Sequence, residues 1–145
     1  MLTKLKKNNS EGFTIIEVMI VLAIAGLIIL IVLLAVPALQ RNARNTSLKN
    51  DASAISAGVS EFKSNNDGTA PTTVTTTSVS GAAGTAPAAV KLSGGASVTA
   101  TTTPTAGNIG YKIGAACPGS TGNSRSVSIY YTPEASTAVV KCIDS

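Results

Sequence analysis

Histidine and tryptophan are absent from this 145-residue sequence, and only two cysteines occur. The lack of histidine removes the commonest general base and the most frequent zinc ligand. Cys117 and Cys142 stand 25 positions apart rather than as a CxxC pair, and would need carboxylates to complete a zinc site. No GxxxxGK phosphate loop and no GxGxxG fingerprint is present. Catalysis therefore has no residues to rest on, and neither metal nor cofactor is expected. Aromatic residues are equally few: Phe13, Phe62, Tyr111, Tyr130 and Tyr131. Charged residues make up 12% of the chain, roughly half the share usual in a globular domain. Apolar residues reach 44%, but they crowd toward one end. The length suits one domain, or a membrane segment with one small domain.

The net charge of +4 divides unevenly along the chain. Lys4, Lys6 and Lys7 precede the longest apolar run, and Arg41, Arg44 and Lys49 follow it. The other basic residues are scattered and nearly matched by Asp51, Glu61, Asp67, Glu134 and Asp144. This is the charge pattern of membrane flanks, not of a nucleic-acid-binding stripe, and DNA binding is not indicated.

Val18 to Val36 is an uninterrupted run of apolar residues and glycine. As a helix rising ~1.5 Å per residue it spans about 28 Å, close to the hydrocarbon thickness of a bilayer. A cleaved secretory signal is a competing reading, with Val36-Pro37-Ala38 as the small-residue site, but the run exceeds the usual apolar core of roughly 7–15 residues. Glu17 stands at the head of the run, directly after Phe13-Thr14-Ile15-Ile16. Such a carboxylate either lies at headgroup level or is neutralised by an amine. Cutting between Gly12 and Phe13 would create an α-amine one helical turn from Glu17. The first turn of a helix also favours negative charge.

The segment Lys4-Leu5-Lys6-Lys7-Asn8-Asn9-Ser10-Glu11-Gly12-Phe13-Thr14-Ile15-Ile16-Glu17 resembles the start of a type IV prepilin. It has a short basic leader ending in Gly, then Phe, then Glu at the fifth position after the cut, then a long apolar helix. The resemblance implies a leader of residues 1–12, removed between Gly12 and Phe13 on the cytoplasmic side by prepilin peptidase. It further implies N-methylation of Phe13 and a role for Glu17 in docking subunits. Three basic residues flank each side of the span, so charge alone nearly ties on orientation. The leader resemblance decides for a cytoplasmic N-terminus.

Beyond the run, Pro37 ends the purely apolar stretch, but helix-compatible sequence follows it, so a kink is expected rather than a stop. Leu48, Ala52, Ile55, Val59 and Phe62 recur at 4-3-4-3 spacing and form one apolar stripe, with Asn50, Asp51, Ser60, Glu61 and Lys63 off it. One long bent helix from about Phe13 to about Asn65 is expected, closed by Asn65-Asn66-Asp67-Gly68. Residues 67–107 are a Thr/Ala/Ser/Gly-rich connecting segment without confidently placed strands. Ile109–Ile113, Val127–Tyr131 and Ala138–Cys142 read as strands. An antiparallel sheet of three or four strands over the Leu48–Phe62 stripe completes an α+β fold. The three tyrosines read as packing residues.

The resulting organisation is a leader (1–12), a transmembrane and filament-core helix (13–36), an amphipathic helix (37–66), the connecting segment and a C-terminal β-sheet region (108–145). Outside the cytoplasm Cys117 and Cys142 are expected to form a disulfide, as in many pilins, with two buried free thiols as the alternative. The resemblance implies a structural subunit that polymerises with its own kind. Its partners would be prepilin peptidase, the inner-membrane pilus assembly machinery and, before assembly, the membrane itself. It would then move from the cytoplasmic membrane to a surface pilus. Two rivals stand beside that reading: a pseudopilin of a type II secretion or competence system, and a monomeric membrane-anchored binding module.

Overall fold

The computed structural model describes residues 12–134 and 140–145. One helix, α1 (Ile15–Asn65), is followed by seven short strands: β1 (Thr73–Val74), β2 (Ser78–Ser80), β3 (Ala88–Ala89), β4 (Val98–Thr99), β5 (Ile109–Ile113), β6 (Val127–Tyr131) and β7 (Lys141–Asp144). The helix continues through Pro37, which lacks the main-chain N–H for its i−4 bond. The chain divides into two compact units at Ala38/Leu39.

Among the described residues of the first unit, no large apolar side chain has a place to hide. From Phe13 to Val36 the large apolar residues remain between 40% and 88% exposed. This part of α1 is long and apolar enough to cross a membrane.

The second unit is an α+β fold built on the other part of α1. All five stripe residues, Leu48, Ala52, Ile55, Val59 and Phe62, are 4% exposed or less. They pack with Val74, Val79 and Val90 from the connecting region and with Ile109, Tyr111, Val127 and Ile129 from the longer strands. The helix closes where expected: Asp67 and Gly68 adopt positive φ (52° and 73°), and the Gly68 N–H bonds the Lys63 carbonyl at 2.8 Å. Asn66 then ties this turn to the connecting segment, its Nδ2 donating to the Ala86 carbonyl and its Oδ1 accepting the Ala86 N–H.

Two features depart from the expected single antiparallel sheet. First, the connecting segment is structured: β1, β2 and β3 form a three-stranded antiparallel sheet, with Val74 paired to Val79 and Val79 to Ala88. Small residues let it sit close to the helix, since a Cβ on Gly58 would meet the Val90 side chain at 2.5 Å. Second, β4-β5-β6-β7 form a mixed sheet, because β4 runs parallel to β5. Asn108 holds that pairing by accepting from the Ser97 N–H and hydroxyl. β5 and β6 occupy the expected spans, while β7 starts at Lys141; the residues 138–139 expected to open it lie outside the described residues.

Asp51 also corrects the sequence reading, which placed it off the stripe. It is 1% exposed, and its carboxylate accepts the Ser93 N–H (2.8 Å), the Ser93 hydroxyl (3.0 Å) and the Gly94 N–H (2.8 Å). A buried carboxylate is tolerated because three donors replace its water. A Cβ on Gly94 would meet that carboxylate at 2.6 Å, so glycine is what lets the loop approach. Asp51→Ala leaves those donors unsatisfied and is expected to cost about 3 kcal/mol. Thermal unfolding of the full chain in detergent measures the loss, and an unchanged midpoint contradicts the clamp.

Candidate functional site

The head of α1 is built by four residues, Phe13, Thr14, Glu17 and Val18. Thr14 is the N-cap: its carbonyl accepts the Val18 N–H, the first bond of the helix. Its hydroxyl oxygen lies 3.3 Å from the Glu17 N–H, and the Glu17 carboxylate reaches back to the Thr14 N–H at 2.8 Å. The Thr14 hydroxyl donates to the same carboxylate oxygen at 2.7 Å. This is a reciprocal capping box, Thr-x-x-Glu. Phe13 and Val18, the positions just before the cap and four into the helix, line one shallow apolar cleft together with Glu17, Val21 and Leu22. They stand where a hydrophobic staple places its two apolar partners.

The sequence reading singled out Glu17 for its charge and missed the cap, although Thr14 three residues earlier is its sequence signature. Within a single chain the carboxylate already has two donors, both from Thr14. Both partners lie after the Gly12–Phe13 bond, so the cap does not depend on residues 1–12. Gly12 and Phe13 are exposed, and a Cβ on Gly12 would meet nothing within 4 Å. The leader residues Lys4, Lys6, Lys7 and Glu11 lie outside the described residues.

Cys117 and Cys142 are joined as a disulfide, with Cα atoms 5.7 Å apart. Their sulfurs are bonded to each other and so are not free to ligate a metal. Cys142 stands on the face of the mixed sheet opposite Val127 and Ile129, across from Tyr130. The bond pins the 114–126 connection onto that face. The Thr101 carbonyl lies against Gly110 on the same face, where a Cβ would collide with it. Ser128 and Tyr130 are consequently buried, and the Ser128 hydroxyl donates to the Tyr130 oxygen at 3.1 Å. Tyr111 and Tyr130 serve as packing residues.

A cleft of about 320 Å³ lies in the second unit beside Arg44, Leu48, Asp51, Ala96 and Glu134. At its rim Arg44 pairs with Glu134 at 2.6 Å, and the Glu134 N–H donates to Asn45. Its acidic groups are occupied by these structural contacts.

Against known families, residues 7–33 match the model for the prokaryotic N-terminal methylation motif, about a fifth of the chain. No curated protein and no solved structure matches the chain. The matched segment takes in residues 7–12, the Gly12–Phe13 bond, the capping box and most of the apolar run. The motif supports a type IV pilin-like or pseudopilin precursor with a class III leader, and the family that carries it is structural. Its leader implies processing by prepilin peptidase, and the apolar helix fits a membrane-anchored prepilin.

The capping box makes a local prediction. Thr14→Val removes the hydroxyl and is expected to weaken the first turn by about 1 kcal/mol, while Thr14→Ser retains it. Hydrogen exchange of the residue 16–18 amides in micelles reads the difference. Equal protection in both variants refutes the cap.

Proposed function

We propose that this protein is the structural subunit of a type IV pilus, processed between Gly12 and Phe13, N-methylated on Phe13 and polymerised through its N-terminal helix. One observation carries the reading. A helix that is apolar all round, and exposed from Ile15 through Val36, begins with a charge that its own chain has capped. Such a surface is at rest only in lipid or against copies of itself. Ala23, Ala25 and Gly26 permit close helix contact.

The charge then supplies register. In the membrane, Thr14 supplies hydrogen bonds to the Glu17 carboxylate but no countercharge. In a bundle, the amine freed by the cut supplies that countercharge, and a misaligned neighbour leaves the carboxylate unpaired at a cost of several kcal/mol. The second unit contributes little adhesive surface: among the described residues from Leu39 onward, only Leu39 and Val140 are large, apolar and exposed. Assembly is driven from the helix. The subunit thus begins as a single-pass protein of the cytoplasmic membrane and ends in a surface filament serving adhesion, twitching motility or DNA uptake.

Two experiments test this. Mass spectrometry of material sheared from cells is expected to show a chain starting at N-methyl-Phe13 and forming long filaments in the electron microscope. An intact Met1 overturns the assignment in favour of a monomeric anchor, and short assemblies confined to the envelope turn it toward a pseudopilus. Glu17→Gln is the sharper variant, because glutamine still closes a capping box but carries no charge. It is expected to insert and be processed normally while filament yield falls at least about tenfold. Wild-type yield refutes charge pairing.

A further inference from the structure

The outer face of the mixed sheet carries a pairing that the filament reading does not use. Cys142 and Asp144 project from the same side of β7, two residues apart. Cys117 meets both: its sulfur is bonded to Cys142, and its N–H donates to Asp144 Oδ1 at 2.5 Å. One Asp144 carboxylate oxygen lies within 4.8 Å of both sulfurs. Asp144 is exposed and both cysteines are half-buried, so disulfide and carboxylate meet solvent together.

A thiol reductant opens such a bond by displacement. An external thiolate attacks one sulfur, a new S–S bond forms as the Cys117–Cys142 bond breaks, and the second sulfur leaves with the electron pair. Another thiolate then displaces the first reductant as its own disulfide. The two cysteine thiolates finally take protons from water. Every approach brings an anion up to Asp144, and every departure leaves one beside it. At about 5 Å in a water-like dielectric, one such repulsion slows a step about fourfold.

We propose that Asp144 is a positioning residue for the Cys117–Cys142 disulfide. It holds Cys117 through its main chain and selects against anionic thiol reductants by charge. The 114–126 connection is therefore released more slowly by anionic thiols than by cationic ones. Lys112 shares the outer face, two strands away through Ser128, and Lys141 neighbours Cys142 on the opposite face. Both set the absolute rates without depending on Asp144, so the test is the change when its charge alone is removed.

The experiment uses the full chain in nonionic micelles at low salt, with 2-mercaptoethanesulfonate, 2-mercaptoethanol and cysteamine as reductants. Rates are normalised to thiolate concentration, and released cysteines are counted by alkylation and mass. Asp144→Asn keeps an oxygen for the Cys117 N–H while removing the charge. The ratio of the cysteamine rate to the sulfonate rate is expected to fall at least about threefold in Asp144→Asn and to persist in Asp144→Glu. High salt is expected to erase the difference between wild type and Asp144→Asn. An equal acceleration with all three thiols would mean a packing role only and overturns the proposal, as does an unchanged ratio. The outcome is independent of whether the protein forms filaments.

Discussion

Everything in this molecule is arranged around an apolar helical surface that its own chain leaves uncovered. From Phe13 to Val36 the large side chains point outward in every direction, so no rotation of the helix presents a polar face to water. Such a surface is stable in a bilayer or in a bundle of like helices, and exchanging one for the other costs little hydrophobic free energy. In the proposed assembly, charge is the part of the helix that would discriminate between these environments. The reciprocal bonds between Thr14 and Glu17 hold the carboxylate in a defined place at the head of the helix. A group held in place can specify alignment, whereas a freely rotating one would accept several.

The second unit solves a different problem, building a core from few large residues. Phe62 is its one buried phenylalanine, and most of the remaining core is Val, Ile and Ala. Close approach compensates for small size. Gly58 brings the helix against Val90, Gly81 accommodates the Phe62 ring, and Gly94 lets a loop descend onto Asp51. Polar anchors then take over where apolar contacts run out, with Asp51, Asn66 and Asn108 each tying a strandless segment to regular structure. The disulfide does the same for the 114–126 connection on the far side of the sheet.

The two units thereby divide the work. Apolar contact surface lies in the helix, while the exposed surface of the second unit is rich in Thr, Ser and charged groups and, among the described residues, nearly free of large apolar side chains. In the proposed filament, a subunit built this way would associate along one element and present the rest to solvent.

Much of this was written into local sequence. The apolar run, the stripe from Leu48 to Phe62, the αL-tolerant residues at Asp67–Gly68 and the alternation in β5 and β6 each depend on neighbours within a few positions, and each was read correctly. The capping box is equally local, visible as Thr14 and Glu17 three positions apart. Tertiary structure alone decided the rest. Nothing near Asp51 in the sequence announces that Ser93 and Gly94 will arrive to bury it. Two-residue strands such as β3 and β4 have no periodicity to detect and exist only because a partner strand supplies their hydrogen bonds. The parallel pairing of β4 with β5, and the meeting of Cys117 with Cys142 and Asp144, join residues separated by intervening loops, and only the closed fold brings them within reach.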